Sequence, residues 1–154
     1  MPTQSNISIS QVRTKDTSLV ALLLSELLDE LAGGEGTPKQ ELEQTAETLL
    51  SQGLVTGLIA YSKGEPVGVI MLNECAAIYA GGRFAEITEL YVKPSQRSQG
   101  VAPQLIAAAR DLARKKGWRR LEVGAPDQPA WRRTLEFYIR EGFEEVGPRL
   151  RLLV

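Results

Sequence analysis

Residues 86–102 read Glu-Ile-Thr-Glu-Leu-Tyr-Val-Lys-Pro-Ser-Gln-Arg-Ser-Gln-Gly-Val-Ala, a strand pattern that passes through a proline turn into the start of a helix. Backbone N–H groups at a helix start have no intrahelical acceptor and lie at the positive end of the helix dipole. Gly100 and Ala102 are small, so an anion can approach the backbone closely. The stretch therefore predicts a phosphate or pyrophosphate site built from backbone amides.

The composition is that of an ordinary globular domain. The chain has 154 residues, of which 43% are hydrophobic and 24% charged, so we expect residues 1–154 to form a single domain. No apolar run is long enough to span a bilayer, and the N-terminus lacks a signal-peptide core. The single cysteine, Cys75, excludes an internal disulfide. A reducing, cytoplasmic location is therefore expected.

The chain contains no histidine. This absence excludes Ser-His-Asp and Cys-His nucleophilic catalysis and removes the commonest zinc ligands, so no metal is expected. Acid–base chemistry near neutral pH must use carboxylates, tyrosine, lysine, Cys75 or water. Because no histidine is available to activate Cys75, we assign this residue no role.

The charges are unevenly distributed along the chain. Residues 1–92 carry five Lys or Arg against twelve Asp or Glu, whereas residues 93–154 carry thirteen against seven. The basic half contains the predicted anion site and suits a phosphorylated ligand, and the acidic half suits a cationic one. Charge counting by itself, however, favours two ordinary solvated faces.

The periodicity of apolar residues predicts the order of the secondary-structure elements. A strand at 7–12 is followed by a helix capped by Asp16 or Thr17, and by a second helix that begins with a Thr37 capping box and ends at Gly53. Strands at 55–62, 66–73, 84–92 and 121–124, a weakly specified loop at 76–82, helices at 99–116 and from Gln128 or Pro129 to Gly142, and a terminal hairpin of 143–146 with 150–154 complete the chain. This order predicts a mixed sheet with one parallel crossover, flanked by helices.

Three side chains near the predicted anion site could take part in proton transfer. Glu86 and Glu89 precede the loop, and strand alternation places them on opposite faces unless a bulge intervenes. A solvated strand position is the plainer interpretation of both. Tyr138 shares a helix face with Trp131 and Leu135, which indicates packing, although a phenol could also protonate a leaving thiolate.

Two motifs together resemble the GNAT N-acetyltransferase superfamily. They are Leu90-Tyr91-Val92-Lys93-Pro94-x-x-Arg97-x-x-Gly100-x-Ala102 and Phe137-Tyr138-x-x-x-Gly142-Phe143, and the match in element order covers nearly the whole chain. The resemblance implies an α/β fold with a mixed, mostly antiparallel central sheet flanked by about four helices. It also implies a bulge in the strand before the loop, which would bring Glu86 and Glu89 nearer to one site.

The resemblance also implies roles for individual residues. Backbone groups would hold acetyl-CoA, the cosubstrate, at Leu90, Tyr91, Val92, Arg97, Ser98, Gln99, Gly100, Val101 and Ala102. Tyr138 would protonate the coenzyme A thiolate, and Glu86 and Glu89 are the candidate bases. Two residues depart from the family pattern: Ser98 replaces a frequent glycine, and Trp131 stands where many members have asparagine.

The activity implied is direct transfer of an acetyl group from acetyl-CoA to a primary amine in a ternary complex, with a small-molecule or peptide acceptor. The alternatives are a protein N-terminal or lysine acetyltransferase and a non-catalytic acyl-CoA-binding sensor. A basic nucleic-acid-binding module, which would bind oligonucleotides in a salt-dependent way and not respond to coenzyme A, is a further alternative with weaker support. Neither a nucleic-acid nor a membrane partner is expected, and a homodimer is a family-level expectation. Glu26, Asp29, Glu30 and Glu35, near the helices of the acceptor side, would favour a cationic amine.

Overall fold

The architecture is a five-stranded mixed sheet with helices on both faces. The structure, a computed structural model, describes residues 6–125 and 130–154. In chain order its elements are β1 (Ile7–Gln11), α1 (Thr17–Ala32), α2 (Lys39–Ser51), β2 (Val55–Ser62), β3 (Glu65–Ala77), β4 (Gly82–Val92), α3 (Val101–Lys116), β5 (Leu121–Val123) and α4 (Arg132–Arg140). No helix within these ranges combines the length and the apolar composition needed to cross a membrane.

The strands lie side by side in the order of the sequence, β1-β2-β3-β4-β5. The first four form an antiparallel meander, and β5 runs parallel to β4 after the crossover through α3. This topology confirms the predicted mixed sheet with a single parallel crossover. Short turns join β2 to β3 and β3 to β4, whereas the connection from β1 to β2 holds α1 and α2 and the connection from β4 to β5 holds α3. Antiparallel neighbours can be joined by a short turn, but the parallel pair β4–β5 requires a crossover.

Apolar side chains form two clusters, one on each face of the sheet. The first cluster joins the sheet to α3 and to Tyr138 of α4, and its fully buried members include Ile70, Leu72, Leu105 and Ile106. The second cluster joins the other face to α1 through side chains that include Val20, Leu23, Val69, Met71 and Tyr91. Strand residues alternate between the two clusters because successive side chains of a strand point to opposite faces.

Gly68 of β3 allows α3 to lie close to the sheet. A Cβ at this position would lie 3.0 Å from the Tyr91 carbonyl oxygen, 3.2 Å from Leu105 Cδ1 and 3.3 Å from Val101 Cγ1. Val101 and Leu105 belong to the first two turns of α3. The missing side chain therefore sets where the N-terminus of α3, and the loop before it, meets β4.

Three sequence predictions about local structure are wrong. The predicted loop at 76–82 is shorter, because β3 continues to Ala77 and β4 begins at Gly82, where the two residues pair. The capping box at Thr37 is absent: Pro38 is the N-cap, without a side-chain cap, and its carbonyl accepts the amides of Glu41 and Leu42. Thr37 thus lies one residue too early to cap α2.

The predicted terminal hairpin is the third error. Residues 143–154 contain no strand. Phe143 packs against the first cluster, but the apolar side chains after it are exposed, among them Val146 at 81% and Leu150 at 95%. An isolated two-stranded hairpin is marginal in water unless a layer covers its apolar face, and the described residues provide no such layer here. The predicted helix start at Gln128 or Pro129 lies outside the described residues, and α4 is described from Arg132.

The close approach at Gly68 predicts the effect of adding a methyl group. Gly68→Ala should lower the free energy of unfolding by about 1–3 kcal/mol, because the new Cβ overpacks a backbone oxygen and two buried side chains. Gly34→Ala is the matched control, since a Cβ there meets nothing within 4 Å, and it should change stability by less than about 0.5 kcal/mol. Urea denaturation compares both with the unchanged chain, and equal midpoints for all three would contradict the role given to Gly68.

Candidate functional site

β4 and β5 separate part of the way along β4. The parallel ladder joins Ala85, Glu86 and Ile87 to Leu121, Glu122 and Val123. β4 then continues to Val92 beside β3, while β5 ends at Val123. The edge of β4 from Thr88 to Val92 therefore has no strand partner on its β5 side within the described residues. A strand edge of this kind offers unpaired N–H and C=O groups to a ligand.

A bulge at Thr88 marks the point of separation. Leu72 of β3 pairs with Ile87, and the preceding residue Met71 pairs with Glu89, so Thr88 is the extra residue. Its hydroxyl lies 3.4 Å from the Met71 carbonyl oxygen and also donates to the carboxylate of Glu89. The bulge that the family resemblance implied is therefore present in β4.

The bulge places Glu86 and Glu89 on one face of the sheet. Glu86 pairs with Asn73 and Glu89 with Met71, two residues of β3 that are separated by one position and so share a face. Met71 belongs to the second cluster, which identifies this face as the one that α1 covers. Without the extra residue, simple alternation would have put the two carboxylates on opposite faces.

The two carboxylates have different surroundings. Burial raises the pKa of Glu89, and the hydrogen bond from Thr88 opposes that rise in pKa. Glu86 instead forms an ion pair with Arg149, and its side chain is 24% exposed. Glu89 is thus a half-buried carboxylate whose pKa is shifted towards neutrality, the direction that suits a general base.

The loop between β4 and α3 presents unpaired amides. A short turn at Pro94–Gln96 leads to Ser98 and Gly100, whose φ angles are 63° and 83°. Within the described residues, the amides from Ser98 to Ala102 donate to no protein acceptor. They lie at the start of the 16-residue α3, where the helix dipole favours negative charge.

Arg97 supports this loop through its side chain. Its Nε donates to the Val92 carbonyl at 3.0 Å, and its two terminal nitrogens bind the Glu30 carboxylate at 2.8 and 2.5 Å. The guanidinium also lies 5.8 Å from the centre of the Tyr91 ring, and its backbone amide donates to Pro94 at 3.3 Å. Arg97 therefore ties the loop to α1, and the unpaired amides begin one residue after it.

Leu90, Tyr91 and Val92 carry the open edge of β4 into the loop. The side chains of Leu90 and Val92 contact the first cluster, and the Tyr91 side chain is buried in the second. Burial, followed by hydrogen bonding to Glu26, raises the pKa of Tyr91 to about 12. Their side chains thus fix the strand between the two layers and leave backbone groups for a ligand.

Tyr138 of α4 is buried in the first cluster. Its ring centre lies 5.3 Å from that of Phe137 and 5.3 Å from that of Phe143, so the packing role that periodicity indicated is present. Burial raises the pKa of Tyr138 to about 12. The phenol therefore keeps its proton throughout the physiological pH range, as a proton donor must.

The remaining candidates contribute less. Glu30 binds Arg97, Asp29 accepts the Gly36 amide at 2.8 Å, and Glu26 hydrogen-bonds to Tyr91. Three of the four acidic residues assigned to the acceptor side therefore have structural partners. Burial, Glu86 and Glu122 raise the pKa of Cys75, which disfavours a nucleophilic thiolate. Among the described residues, no three His, Cys, Asp or Glu side chains are grouped to hold a metal ion.

Arg149 is the site residue that the sequence reasoning missed. Its Nη1 binds Glu86, although 63 residues separate the two in the chain. A local pattern cannot reveal such a contact, and the turn signal at Gly147-Pro148 indicates only backbone pairing in a hairpin. The contact was accessible only from the three-dimensional structure.

Comparison with known proteins gives one family. The family model described as "Acetyltransferase (GNAT) family" matches residues 21–143. The aminoalkylphosphonate N-acetyltransferase of Salmonella typhimurium is 31% identical over 140 residues, which cover 86% of this chain and 81% of that protein.

Solved structures agree on the fold. A ribosomal-protein-alanine N-acetyltransferase from Brucella melitensis superimposes with a TM-score of 0.73 at 24% identity, covering 95% of this chain and 99% of the other. A predicted acetyltransferase from Clostridium acetobutylicum, solved with acetyl-CoA, gives a TM-score of 0.76 at 20% identity, with 96% of each chain covered.

The Arg97–Glu30 pair predicts a pH-dependent contribution to stability. Hydrogen bonding to Arg97 lowers the pKa of Glu30 below its ordinary value of 4.5. The stabilisation is therefore present above about pH 4.5 and is lost as the pH falls through the lowered pKa. At pH 7, Glu30→Gln should lower the free energy of unfolding by about 0.5–1 kcal/mol, a difference that should shrink below pH 4.

Urea denaturation at both pH values measures this difference. Asp111→Asn is the control, because its ion pair with Arg114 has both side chains about 70% exposed and should contribute almost nothing. A pH-independent difference for Glu30→Gln would show that the contact acts through packing and not through charge.

Proposed function

This chain belongs to the GNAT family of acetyltransferases and is an N-acetyltransferase, and we propose that it acetylates the primary amine of a small molecule, using acetyl-CoA. The proposal is carried by one arrangement along β4. The open strand edge at Thr88–Val92 lies between a half-buried carboxylate, Glu89, and a loop whose amides have no protein acceptor. The strand edge would position the thioester, Glu89 would act on the amine, and the loop amides would bind the pyrophosphate, as one transfer reaction requires.

The residues present fit acetyl-CoA. The five amides from Ser98 to Ala102 would hold the pyrophosphate, because an anion at a helix start gains both hydrogen bonds and the dipole. Backbone groups of Leu90 and Val92 would pair with the pantetheine arm as a further strand would. The coenzyme supplies the activated acetyl thioester, and the chain supplies its position.

The chain's own groups then move two protons. Glu89 accepts a proton from the acceptor ammonium, directly or through water, so that the amine nitrogen can bond to the acetyl carbon. Backbone N–H groups on the open edge of β4 stabilise the negative charge that develops on the carbonyl oxygen. As the carbon–sulfur bond breaks, Tyr138 donates its proton to the departing sulfur, and the second proton lost by the nitrogen as the amide forms returns through water to the tyrosinate. No covalent enzyme intermediate is required, in keeping with a chain that has no histidine.

The relative from Salmonella typhimurium, named for acetylating aminoalkylphosphonates, supports a small-molecule acceptor. The likeness to the ribosomal-protein-alanine enzyme stands at 24% identity and supports the fold only. Acetylation of a protein N-terminus or lysine, and coenzyme binding without turnover, remain the competing functions. One experiment separates all three.

The protein is first heated with and without acetyl-CoA, and thiol release is then measured over small amines, a lysine peptide and a peptide with a free N-terminus. The proposal expects a raised melting temperature and thiol release with small amines above the peptides. Peptide-specific release would support the protein acceptor. A raised melting temperature without thiol release for any amine would support the sensor.

The unpaired amides of the loop between β4 and α3 predict that a negative charge introduced at Ser98 weakens coenzyme binding. Ser98→Asp should raise the dissociation constant of acetyl-CoA about tenfold or more, because a carboxylate there repels the pyrophosphate. Ser98→Asn is the matched control: asparagine and aspartate both tolerate the left-handed backbone found at Ser98. Titration calorimetry at low and high salt measures both dissociation constants, and the difference between the two variants should become smaller as the salt concentration rises. Equal weakening by both variants would mean that shape, and not charge, governs the loop.

The half-buried carboxylate of Glu89 predicts how the rate depends on pH on the acid side. Glu89→Gln should lower kcat about 100-fold or more, as expected for loss of a general base. In the unchanged enzyme kcat/KM should rise with pH as Glu89 loses its proton, through a pKa above the ordinary 4.5, and this limb should vanish in the variant. Glu86→Gln should lower kcat less than Glu89→Gln does. Glu65→Gln, at an exposed end of β3, should leave kcat unchanged. A larger loss for Glu86→Gln would transfer the role of base to that residue.

A further inference from the structure

Arg149 lies where β4 and β5 separate. It comes from the C-terminal segment 143–154, and its side chain crosses Gly124, where a Cβ would lie 2.8 Å from Nη1 and 2.9 Å from Cδ. Gly124 directly follows Val123, the last residue of β5 that pairs with β4. The absence of a side chain at Gly124 therefore lets the guanidinium reach Glu86, close to the point where β4 and β5 separate. We call the space beside the unpaired edge Thr88–Val92 the cleft.

Part of the Arg149 guanidinium has no hydrogen-bond partner among the described residues. Its Nη1 binds Glu86, it makes no other hydrogen bond within residues 6–125 and 130–154, and its side chain is 67% exposed. Arg97 and Arg120, by contrast, are held on several sides. Arg120 binds Glu122 at 2.9 Å and lies over the rings of Tyr79 and Phe84 at 5.1 and 5.7 Å.

The carboxylates beside Arg149 give the cleft a mixed charge. Glu86 pairs with Glu122 across the β4–β5 ladder, and Glu89 lies on the same face of β4 as Glu86. A simple cationic amine would find carboxylates here but would leave Arg149 bound to Glu86. An acceptor with both an amine and an acid group would give each charge a partner of opposite sign.

We propose that Arg149 binds an acid group of the acceptor, so that the acceptor is a small molecule carrying a primary amine together with a carboxylate or a phosphonate. The inference rests on the proposed function. The acid group replaces Glu86 on the guanidinium, whose planar fork suits two oxygens of a carboxylate or phosphonate. Glu86 is then free to hold the ammonium group before Glu89 deprotonates it. The 31% identity to an aminoalkylphosphonate N-acetyltransferase agrees with this acceptor chemistry.

The test measures acceptor binding to the protein saturated with coenzyme A, which requires no turnover. The probes are 2-aminoethylphosphonate, β-alanine and propylamine, titrated calorimetrically. The unchanged protein should bind at least one acid-bearing probe about tenfold or more tightly than propylamine. Arg149→Ala should weaken that probe about 10- to 100-fold, the loss expected for a hydrogen bond to a charged group, and should leave propylamine unchanged or bound more tightly.

Two further variants control the result. Arg151→Ala removes an exposed arginine two residues along the same segment and should leave all three affinities unchanged. Arg149→Lys keeps the charge without the fork and should fall between the unchanged protein and Arg149→Ala. It also keeps the test decisive if the alanine variant fails to fold. The acid-bearing probe with the larger loss identifies whether a carboxylate or a phosphonate is preferred.

Equal affinities of the acid-bearing probes for the unchanged protein and Arg149→Ala, or propylamine binding as tightly as they do, would overturn the inference. Thiol release separates it from the proposed function. Binding that depends on Arg149 without thiol release would refute turnover and leave the Arg149 site standing. If the coenzyme thiol is released with all three amines as acceptors, and at the same rate in Arg149→Ala as in the unchanged protein, the Arg149 site is refuted and the acetyltransferase activity stands.

Discussion

One extra residue in β4, Thr88, is the constraint on which the site depends. It shifts the register against β3 by one and coincides with the end of the β4–β5 ladder. Two carboxylates that alternation would separate consequently share a face. Among the described residues, no strand lies beside the edge Thr88–Val92 on its β5 side. The threonine hydroxyl approaches the backbone of β3 and the Glu89 carboxylate, so one side chain links the distorted strand to the half-buried acid.

The anion loop depends on contacts that are remote in sequence. Arg97 joins it to α1 through Glu30, and Gly68 of β3 sets the depth at which α3 begins. The acidic first half of the chain is therefore less available to a ligand than its charge count indicates. Asp29 and Glu30 have structural partners, and Glu86 carries an arginine from the opposite, basic half. At this site the two halves neutralise each other locally.

Much of the fold could be predicted from the sequence, because most helices and strands have clear local patterns of apolar residues. The spacing of Val20, Leu23 and Leu24 predicts α1, and the motif from Leu90 to Ala102 predicts a strand, a turn and a helix start in that order. The errors arose where local signals compete or are missing. Thr37 and Pro38 both resemble helix starts, and the alternation in the last residues predicts strands for which the structure provides no covering layer. The role of Arg149 could not be predicted from the sequence, because it depends on the space that Gly124 leaves for its side chain and on a carboxylate 63 residues away in the chain.

The open edge of β4 also makes the ligand-free chain vulnerable. An unpaired edge can pair with the edge of another molecule as readily as with a pantetheine arm, which makes it a starting point for aggregation. The bulge limits this risk, since it twists β4 at Thr88 and makes the strand a poorer template for a flat partner. Acetyl-CoA bound along this edge, as we propose, would cover the same backbone groups, so it would also protect the folded chain against pairing with another molecule.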